Sequence, residues 1–334
     1  MQRFAIAIFF LFHTLLSSAQ GRVYPTNITV SSDGSGDYKT IQEAVNSVRD
    51  YGQQVTIHIR KGVYHEKLVI PTWKTKIILL GEDPTNTIIT NNDYSGKPIA
   101  SGQDAYGLNK FNTFTSYTVL VQGNDCTIQN LTIENTAGRV GQAVALHVEG
   151  DRCIVENCRI LGNQDTLFTT NENSRQYYRN CYIEGTTDFI FGEATCVFQS
   201  CTIRNLINSF TTAASTTERQ SFGYVFFDCK LIAADSLTKV YLGRPWRSYA
   251  KTVYIRTQMG AQVLPEGWNP WRGDAMFPDK EKTAYYAEYK STGAGANASQ
   301  RVGWSHQLTE EEAKQYTIAH ILGGRDNWQP DKAH

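Results

Sequence analysis

The stretches NCRILGNQDTLF (157–168) and NCYIEGTTDFIF (180–191) begin with the same run of polar, apolar, polar and aliphatic residues. Three further stretches, which begin at residues 130, 200 and 228, share this run. The units follow one another at irregular intervals of 20 to 28 residues. A short alternating strand that recurs at such intervals indicates a solenoid, in which each unit stacks on the next.

The composition of the units indicates strands rather than helices. Most carry β-branched or aromatic residues and turn formers, and they lack the 3.6-residue apolar period of a helix. We therefore predict an all-β protein, a parallel β-helix, in which equivalent side chains form inward ladders. Helical spacing at 40–48 predicts a helix that caps the N-terminal coil. A second, short helix is predicted near the C-terminus, at 308–322.

A cysteine occupies the second position of four units, and Leu131 takes that place in the first. We expect the cysteines to behave as small buried hydrophobic residues of one ladder. A disulfide between Cys158 and Cys181 stays open as an alternative, because neighbouring strands lie about 4.8 Å apart. The chain has seven cysteines, so at least one has no intrachain partner, and none has the spacing of a zinc site.

The first nineteen residues have the pattern of a secretory signal peptide. Arg3 precedes an apolar run from Phe4 to Leu16, and Ser17-Ser18-Ala19 offers a small-residue cleavage site. We expect residues 1–19 to be removed and the mature protein to be secreted. No later run is apolar enough to span a membrane. Three N-x-S/T sequons agree with export, at Asn27, Asn130 and Asn297.

The charge of the chain is balanced, with 32 basic and 32 acidic side chains. A nucleic-acid or anionic-membrane partner is not expected, because such partners usually require a basic excess. Residues 20–334 show no linker-like change in composition, so we predict one domain, and we expect a monomer.

Asp165 and Asp188 each lie seven residues after the cysteine of their unit. Equal offsets place them at matching points of consecutive coils, about one strand spacing apart. Two carboxyl groups that close cannot both ionise easily, so the pKa of one should rise. Such an asymmetry can make one carboxyl an acid and the other a nucleophile. The alternative is that both are ordinary surface turn residues.

The neighbours of the two aspartates favour a catalytic site. Gln164 is a neutral donor suited to a developing oxyanion, and Asp188 begins the apolar run Asp-Phe-Ile-Phe-Gly. Arg244, in the run Leu-Gly-Arg-Pro-Trp, is permanently charged and binds carboxylates through a fork. Trp246 offers a flat apolar surface of the kind that packs on sugar rings.

At these motifs the chain resembles the pectin methylesterase (pectinesterase) family of carbohydrate esterases, in the form without an inhibitory pro-region. The motifs follow the family order over almost the whole mature length: Asp33–Gln42, Gly62–Glu66, Thr113-Phe114 with Ser116, Gly141–Leu146, Gln164–Leu167, Asp188–Gly192, Leu242–Trp246, Gly267-Trp268 and Thr292–Ala296. The resemblance departs at His147, where many members have an arginine, and at a longer stretch between Leu167 and Arg179.

The resemblance implies a right-handed β-helix that hydrolyses methyl esters of polygalacturonate (pectin) and releases methanol. It makes Asp188 the nucleophile, Asp165 the general acid and then base, and Gln164 a stabiliser of the oxyanion. Gln142 would share that role and also contact substrate. The implied substrate-binding residues are Thr113, Gln142, Phe191, Arg244, Trp246 and Trp268. No metal or organic cofactor is implied, and Gly62–Glu66 is expected to be structural.

Three other functions stay open at this stage. The β-helix also carries pectate lyases and polygalacturonases, and fold alone does not decide function. Two carboxylates about 5–5.5 Å apart also suit a retaining glycosidase. A pectin-binding protein without catalytic activity is the alternative of a different class.

Overall fold

A computed structural model describes residues 24–104 and 107–332, so the predicted signal peptide lies outside the described residues. Within those ranges, 26 strands form three sheets in which every strand pair is parallel, and the helices are few and short. The prediction of an all-β parallel β-helix is therefore confirmed. No helix in this part of the chain is long and apolar enough to cross a membrane.

The strands are numbered β1 to β26 in chain order, and each pairs with the equivalent strands of neighbouring coils. The first sheet consists of β1 (Asn27–Val30), β2 (Val55–Ile59), β5 (Ile77–Gly81), β8 (Thr127–Gln129), β11 (Cys153–Glu156), β14 (Arg175–Arg179), β17 (Thr195–Gln199), β20 (Tyr224–Phe227), β23 (Lys251–Ile255), β25 (Tyr285–Tyr289) and β26 (His306–Gln307). The second consists of β3 (Gly62–His65), β6 (Thr87–Asn91), β9 (Thr132–Asn135), β12 (Arg159–Leu161), β15 (Tyr182–Gly185), β18 (Thr202–Asn205), β21 (Lys230–Ala233) and β24 (Gln258–Met259). The third consists of β4 (Leu68–Ile70), β7 (Val119–Val121), β10 (Leu146–Val148), β13 (Leu167–Thr169), β16 (Ile190–Gly192), β19 (Phe210–Ala214) and β22 (Tyr241–Gly243).

The described α-helices are α1 (Ile41–Ser47), α2 (Glu310–Ala313) and α3 (Ile318–Leu322), and the 3₁₀ helices are Thr113–Thr115, Lys280–Lys282, Ala298–Gln300 and Pro330–Lys332. Helix α1 begins with a capping box between Thr40 and Glu43 and packs its apolar face on the first coils, as predicted. The Glu66 carboxylate accepts hydrogen bonds from the backbone N–H groups of Ile41 and Gln42 at 2.8 and 2.9 Å. Gly62–Glu66 therefore has the structural role that was expected.

The repeated polar residue of each unit forms the turn between the first and second sheets. Asn157 and Asn180 adopt left-handed backbone conformations, with φ of 52° and 53°. Asparagine tolerates this conformation better than most residues, because its short polar side chain bonds locally. The chain therefore turns sharply at the same point in successive coils, which keeps their strands in register.

The cysteine ladder is confirmed. Cys158, Cys181, Cys201 and Cys229 are buried and free, and Leu131 occupies the first position of the row. The Sγ of Cys181 donates to the Val155 carbonyl at 3.3 Å, and the other three thiols make comparable bonds. The alternative of a disulfide between Cys158 and Cys181 is not what the structure contains.

The predicted C-terminal helix at 308–322 is wrong in its continuity, because the segment forms two short helices. Helix α2 ends at Ala313, and Thr317 starts α3 by accepting a hydrogen bond from the backbone of His320. Leu308, Ile321 and Leu322 pack against the outer face of the first sheet. That face is apolar, so the broken helix is explained by a segment that must follow the sheet surface.

Candidate active site

Asp165 and Asp188 each lie two residues before a strand of the third sheet, at matching points of adjacent coils. Leu167 of β13 pairs with Ile190 of β16, which fixes this register. Both aspartates have left-handed backbones, with φ of 66° and 51°, and both line one cavity of about 250 Å³. The equal offset in the sequence therefore corresponds to a shared position in space.

Arg244 binds Asp188 through both edges of the carboxylate. Its Nε lies 3.0 Å from Oδ1 and its Nη2 lies 2.6 Å from Oδ2. The guanidinium carbon lies 3.9 Å from the ring centre of Phe210 and 3.6 Å from that of Trp271. Charge-assisted bidentate pairs are strong and directional, and the two rings restrict the guanidinium further.

The two carboxyl groups differ in their partners and hence in their ionisation. Burial, followed by the nearby charge of Asp188, raises the pKa of Asp165 well above its ordinary value of 3.8. Burial also raises the pKa of Asp188, but the ion pair with Arg244 opposes that rise. Asp165 forms no ion pair with any residue that the structure describes. The Arg244 pair therefore favours the ionised form of Asp188, whereas burial and the neighbouring carboxylate favour the protonated form of Asp165.

Gln142 and Gln164 lie side by side at the edge of the same cavity. Their backbones form a parallel bridge, and the N–H of Ala143 donates to the Gln164 carbonyl at 3.1 Å. Both residues are half-buried, and neither side-chain amide bonds to any residue within 24–104 or 107–332. Two amide groups are therefore available to donate to an oxygen that enters the cavity.

Aromatic side chains form most of the remainder of the cavity. Its complete lining is Thr113, Phe114, Gln142, Gln164, Asp165, Asp188, Phe191, Ala213, Arg244, Trp246 and Trp271. Phe191 stacks on Phe168 with 4.4 Å between ring centres, and Trp246 packs on Phe191 at 5.9 Å. Phe191 is buried, so it forms the floor of the cavity rather than a wall. Eight of the nine residues predicted from the sequence line this cavity.

Trp268 is the exception, and its expected contact with substrate is corrected. Its side chain is 1% exposed and does not line the cavity. It packs inside the coil on Tyr254 and Tyr286, with ring centres 5.8 and 4.4 Å away. The physical reason is register, because Trp268 pairs with Gly243 in a β-bridge and follows the inward row of the last coils.

Sequence reasoning missed Phe114 and Trp271 as lining residues. Phe114 is 50% exposed. It belongs to the Thr113-Phe114 motif, from which only Thr113 was predicted to contact substrate. Trp271 follows Trp268 by three residues, and it leaves the coil after Pro270. A second tryptophan so close to the first was a usable signal, but sequence alone does not say which of the two turns outwards.

His147 lies beneath this floor as a neutral side chain. It is buried, and its ring packs on Phe168 in a tilted arrangement with 4.3 Å between centres. Burial lowers the pKa of His147 to about 3, so the ring carries no charge at neutral pH. The expected loss of a charge near the groove is consistent with this position.

No group of three or more His, Cys, Asp or Glu side chains within the described ranges is arranged to hold a metal ion. The chemistry that the described cavity offers is that of two carboxyls, a guanidinium and two amides.

Comparisons with known proteins point to one family. A family model described as Pectinesterase matches residues 27–325. "Putative pectinesterase 11" of Arabidopsis thaliana is 37% identical, over 92% of this chain and 82% of that protein. "Probable pectinesterase/pectinesterase inhibitor 23" of the same plant is also 37% identical, over 91% of this chain and 53% of that protein. The chain thus spans about half the length of several curated relatives that it matches.

Solved structures give the same result. A pectin methylesterase from carrot has a TM-score of 0.79 and 36% identity, over 91% of this chain and 95% of that chain. The pectin methylesterase of Erwinia chrysanthemi has a TM-score of 0.78 and 28% identity, over 92% of this chain and 99% of that chain. From the fold, the cavity and these matches, we conclude that the chain belongs to the pectinesterase family.

Proposed function

We propose that this protein is a pectin methylesterase, which hydrolyses the methyl esters of polygalacturonate to methanol and free carboxylates. The observation that carries the proposal is the pair of adjacent aspartates, of which only Asp188 is bound by a guanidinium. A solved pectin methylesterase structure holds a hexasaccharide, which supports an oligosaccharide as occupant of the equivalent groove.

In the first half of the reaction, an oxygen of Asp188 attacks the ester carbonyl carbon, and the carbonyl electron pair moves to its oxygen. The amides of Gln142 and Gln164 donate to that oxyanion. When the carbon–methoxy bond breaks, the departing methoxide takes the proton of Asp165 and leaves as methanol. The product is an anhydride between Asp188 and the galacturonate carbonyl.

In the second half, Asp165 is ionised and acts as a base. It removes a proton from a water molecule whose oxygen attacks the anhydride carbonyl. The bond to Asp188 breaks, the carboxylate of Asp188 is regenerated with its Arg244 partner, and Asp165 is protonated again. One water is consumed for each methanol and each carboxylic acid formed.

Phe191 and Trp246, with Thr113, are proposed to hold the sugar chain. Their apolar surfaces lie beside the polar cluster, which suits a pyranose ring that carries one reacting methyl ester group. Trp268 has no place in this role. A monomer is sufficient, because one chain supplies every residue that the mechanism uses.

Secretion is also proposed, on the pattern of residues 1–19. Asn27 and Asn297 are exposed and would accept glycans on such a route, whereas Asn130 is half-buried in a left-handed turn. N-terminal sequencing of the protein recovered from the culture medium of an expressing cell tests the cleavage. A sequence that starts at Gln20 supports it, and retention of Met1 contradicts it.

The activity is tested on highly methylated pectin with three readouts from one reaction. An esterase releases methanol without new reducing ends and without absorbance from unsaturated ends. New reducing ends would instead identify a glycosidase, and unsaturated ends a lyase. Binding of pectin without any of the three products would identify a non-catalytic protein and overturn the proposal.

A further inference from the structure

Lys280 is a buried cation that the mechanism above does not use. The exposure of its side chain is 0%, and its Nζ lies 2.9 Å from Oδ2 of Asp274. Burial lowers the pKa of Lys280, whereas the ion pair with Asp274 opposes that change. A lysine is almost never fully buried unless it is paired, and even a paired charge loses hydration free energy on burial. The buried Lys280–Asp274 pair therefore needs a physical explanation.

The ammonium group of Lys280 lies against the same indole that contacts the catalytic arginine. Its Nζ is 4.4 Å from the ring centre of Trp271. The guanidinium carbon of Arg244 is 3.6 Å from that centre. The electron-rich faces of indoles attract cations at such distances. One tryptophan therefore links the buried lysine to the partner of Asp188.

The backbone of Trp271 is held in an unfavourable conformation. Its φ is 52°, in the left-handed region that bulky residues rarely adopt. The side chain of Asn269 accepts a hydrogen bond from the Trp271 N–H at 2.8 Å. Strained residues of this kind persist only where the surroundings hold them, and they cluster at functional sites.

The segment 271–283, here called the 271–283 loop, packs on the segment 244–248, which follows β22. Phe277 of this loop lies 4.7 Å from the guanidinium carbon of Arg247, which also lies 4.5 Å from the Trp246 ring centre. The hydroxyl of Thr283 donates to the Ser248 carbonyl. The loop thus contacts this segment through Trp271, Phe277 and Thr283, and the side chain of Lys280 is buried within the loop region.

We propose that Lys280 is a positioning residue, which holds Trp271 against Arg244 and so fixes the guanidinium in the plane that binds Asp188. The inference rests on the proposed function, because it concerns the ionisation of the proposed nucleophile. Without the buried ammonium, the indole loses one of its contacts and the guanidinium gains freedom.

The charges around Asp188 predict the direction of the effect. Arg244 and Lys280 favour its anion, whereas Asp165 and Tyr286 are the other titratable groups that face it. Both the loss of the Lys280 charge and the loosening of Arg244 would raise the pKa of Asp188. The charged groups that face Lys280 itself are Asp274, Arg244 and Arg247.

The test compares Lys280→Met with the wild-type enzyme in methanol release from methylated pectin between pH 4 and 9. We expect kcat to fall about tenfold with KM changed less than twofold, since positioning errors act mainly on the chemical step. We also expect the acid limb of the kcat profile to move up by about half a pH unit. In a Trp271→Ala background, Lys280→Met should lower kcat less than twofold further.

Lys282→Met is the matched control, because Lys282 lies in the same loop but is exposed and pairs with Asp279. It should leave kcat and the acid limb unchanged. If Lys280→Met does not fold, Asp274→Asn decides by the same fall in kcat. An unshifted acid limb in folded Lys280→Met, an equal effect of Lys282→Met, or a full tenfold effect without Trp271 overturns the inference. Absence of methanol release by the wild type would instead overturn the proposed function.

Discussion

Asp188 and Arg244 are 56 positions apart in the sequence and are joined by two hydrogen bonds, of 3.0 and 2.6 Å, in the structure. Arg244 immediately follows β22 and Asp188 precedes β16, two coils away, with β19 between them. The guanidinium thus reaches along the outer face of the third sheet. Asp165 lies on the other side of Asp188 and forms no ion pair with a described residue, and we propose that this difference separates the roles of the two carboxyls.

Replacement of Arg244 by lysine keeps a positive charge but removes the fork. We expect kcat to fall by roughly 100-fold, because a point charge does not hold the carboxylate in one plane. The pKa of Asp188 should rise as the opposition to burial weakens, so activity will be lost at a higher pH on the acid side. The kcat profile against pH measures both effects.

Arg256→Lys is the control for that experiment. Arg256 forms a similar two-bond pair with Asp228, at 2.7 Å for both bonds, but on the exposed surface. Its replacement should change neither kcat nor the acid limb. A shift of the same size in both variants would show that the effect is not specific to the cavity.

Gln142→Ala removes one of the two cavity amides that bond to no described residue. Loss of an oxyanion donor typically lowers kcat by about 10²–10³-fold, and Gln164 should preserve a measurable residual rate. Initial rates of methanol release at saturating pectin measure this. The exposed Gln258→Ala should be unaffected, and a wild-type rate for Gln142→Ala would remove that residue from the mechanism.

Asp165→Asn is expected to stabilise the protein while it abolishes turnover. The folded pKa of Asp165 lies above 3.8, so the folded state binds the proton more tightly than the unfolded state does. The free energy of unfolding therefore falls as the pH rises from the unfolded pKa of Asp165 to its folded pKa, by up to ~1.4 kcal/mol per pH unit. Asparagine does not ionise, so the variant does not lose this free energy. Its stability advantage over the wild type should be absent near pH 3.8 and grow towards pH 7.

The melting temperatures of Asp165→Asn and wild type at several pH values test that prediction. A difference that increases with pH agrees with a protonated, buried carboxyl. A gain of equal size at every pH, or a lower melting temperature at pH 7, would contradict the raised pKa.

Trp246 and Trp268 should respond to truncation in opposite ways. Trp268→Ala leaves a void inside the coil and should lower the free energy of unfolding by about 3–5 kcal/mol, with KM of the folded enzyme unchanged. Trp246→Ala should raise KM with a smaller loss of stability, because its ring lines the cavity. Denaturant unfolding and pectin saturation curves distinguish the two, and a large KM effect of Trp268→Ala would restore it to the groove.

The coil of the fold was predictable because its signal is local and repeated. Alternation over four residues specifies a strand, and the recurrence of a small apolar residue at positions such as Cys158 and Cys181 specifies a ladder. The shared position of Asp165 and Asp188 followed from the same register. Periodicity in the sequence is therefore sufficient to predict that the two aspartates lie close together.

The parts that were not predicted depend on contacts between distant segments. Trp268 turns inwards because it pairs with Gly243, and Trp271 turns outwards from a left-handed residue. The local sequence does not indicate the orientation of either side chain. The break between α2 and α3 likewise reflects the shape of the first sheet, on which both helices pack. The contacts of Lys280 depend on the path of the 271–283 loop, which the sequence does not specify.

The most direct measurement is the rate of methanol release by Asp188→Ala, beside Asp228→Ala as its matched control. Asp228 shares the left-handed backbone and the paired arginine of Asp188 but is 44% exposed outside the cavity. We predict that Asp188→Ala is folded and releases no methanol above background, while Asp228→Ala keeps the wild-type rate. Wild-type-like release by a folded Asp188→Ala would contradict the assignment of the nucleophile and the mechanism built on it.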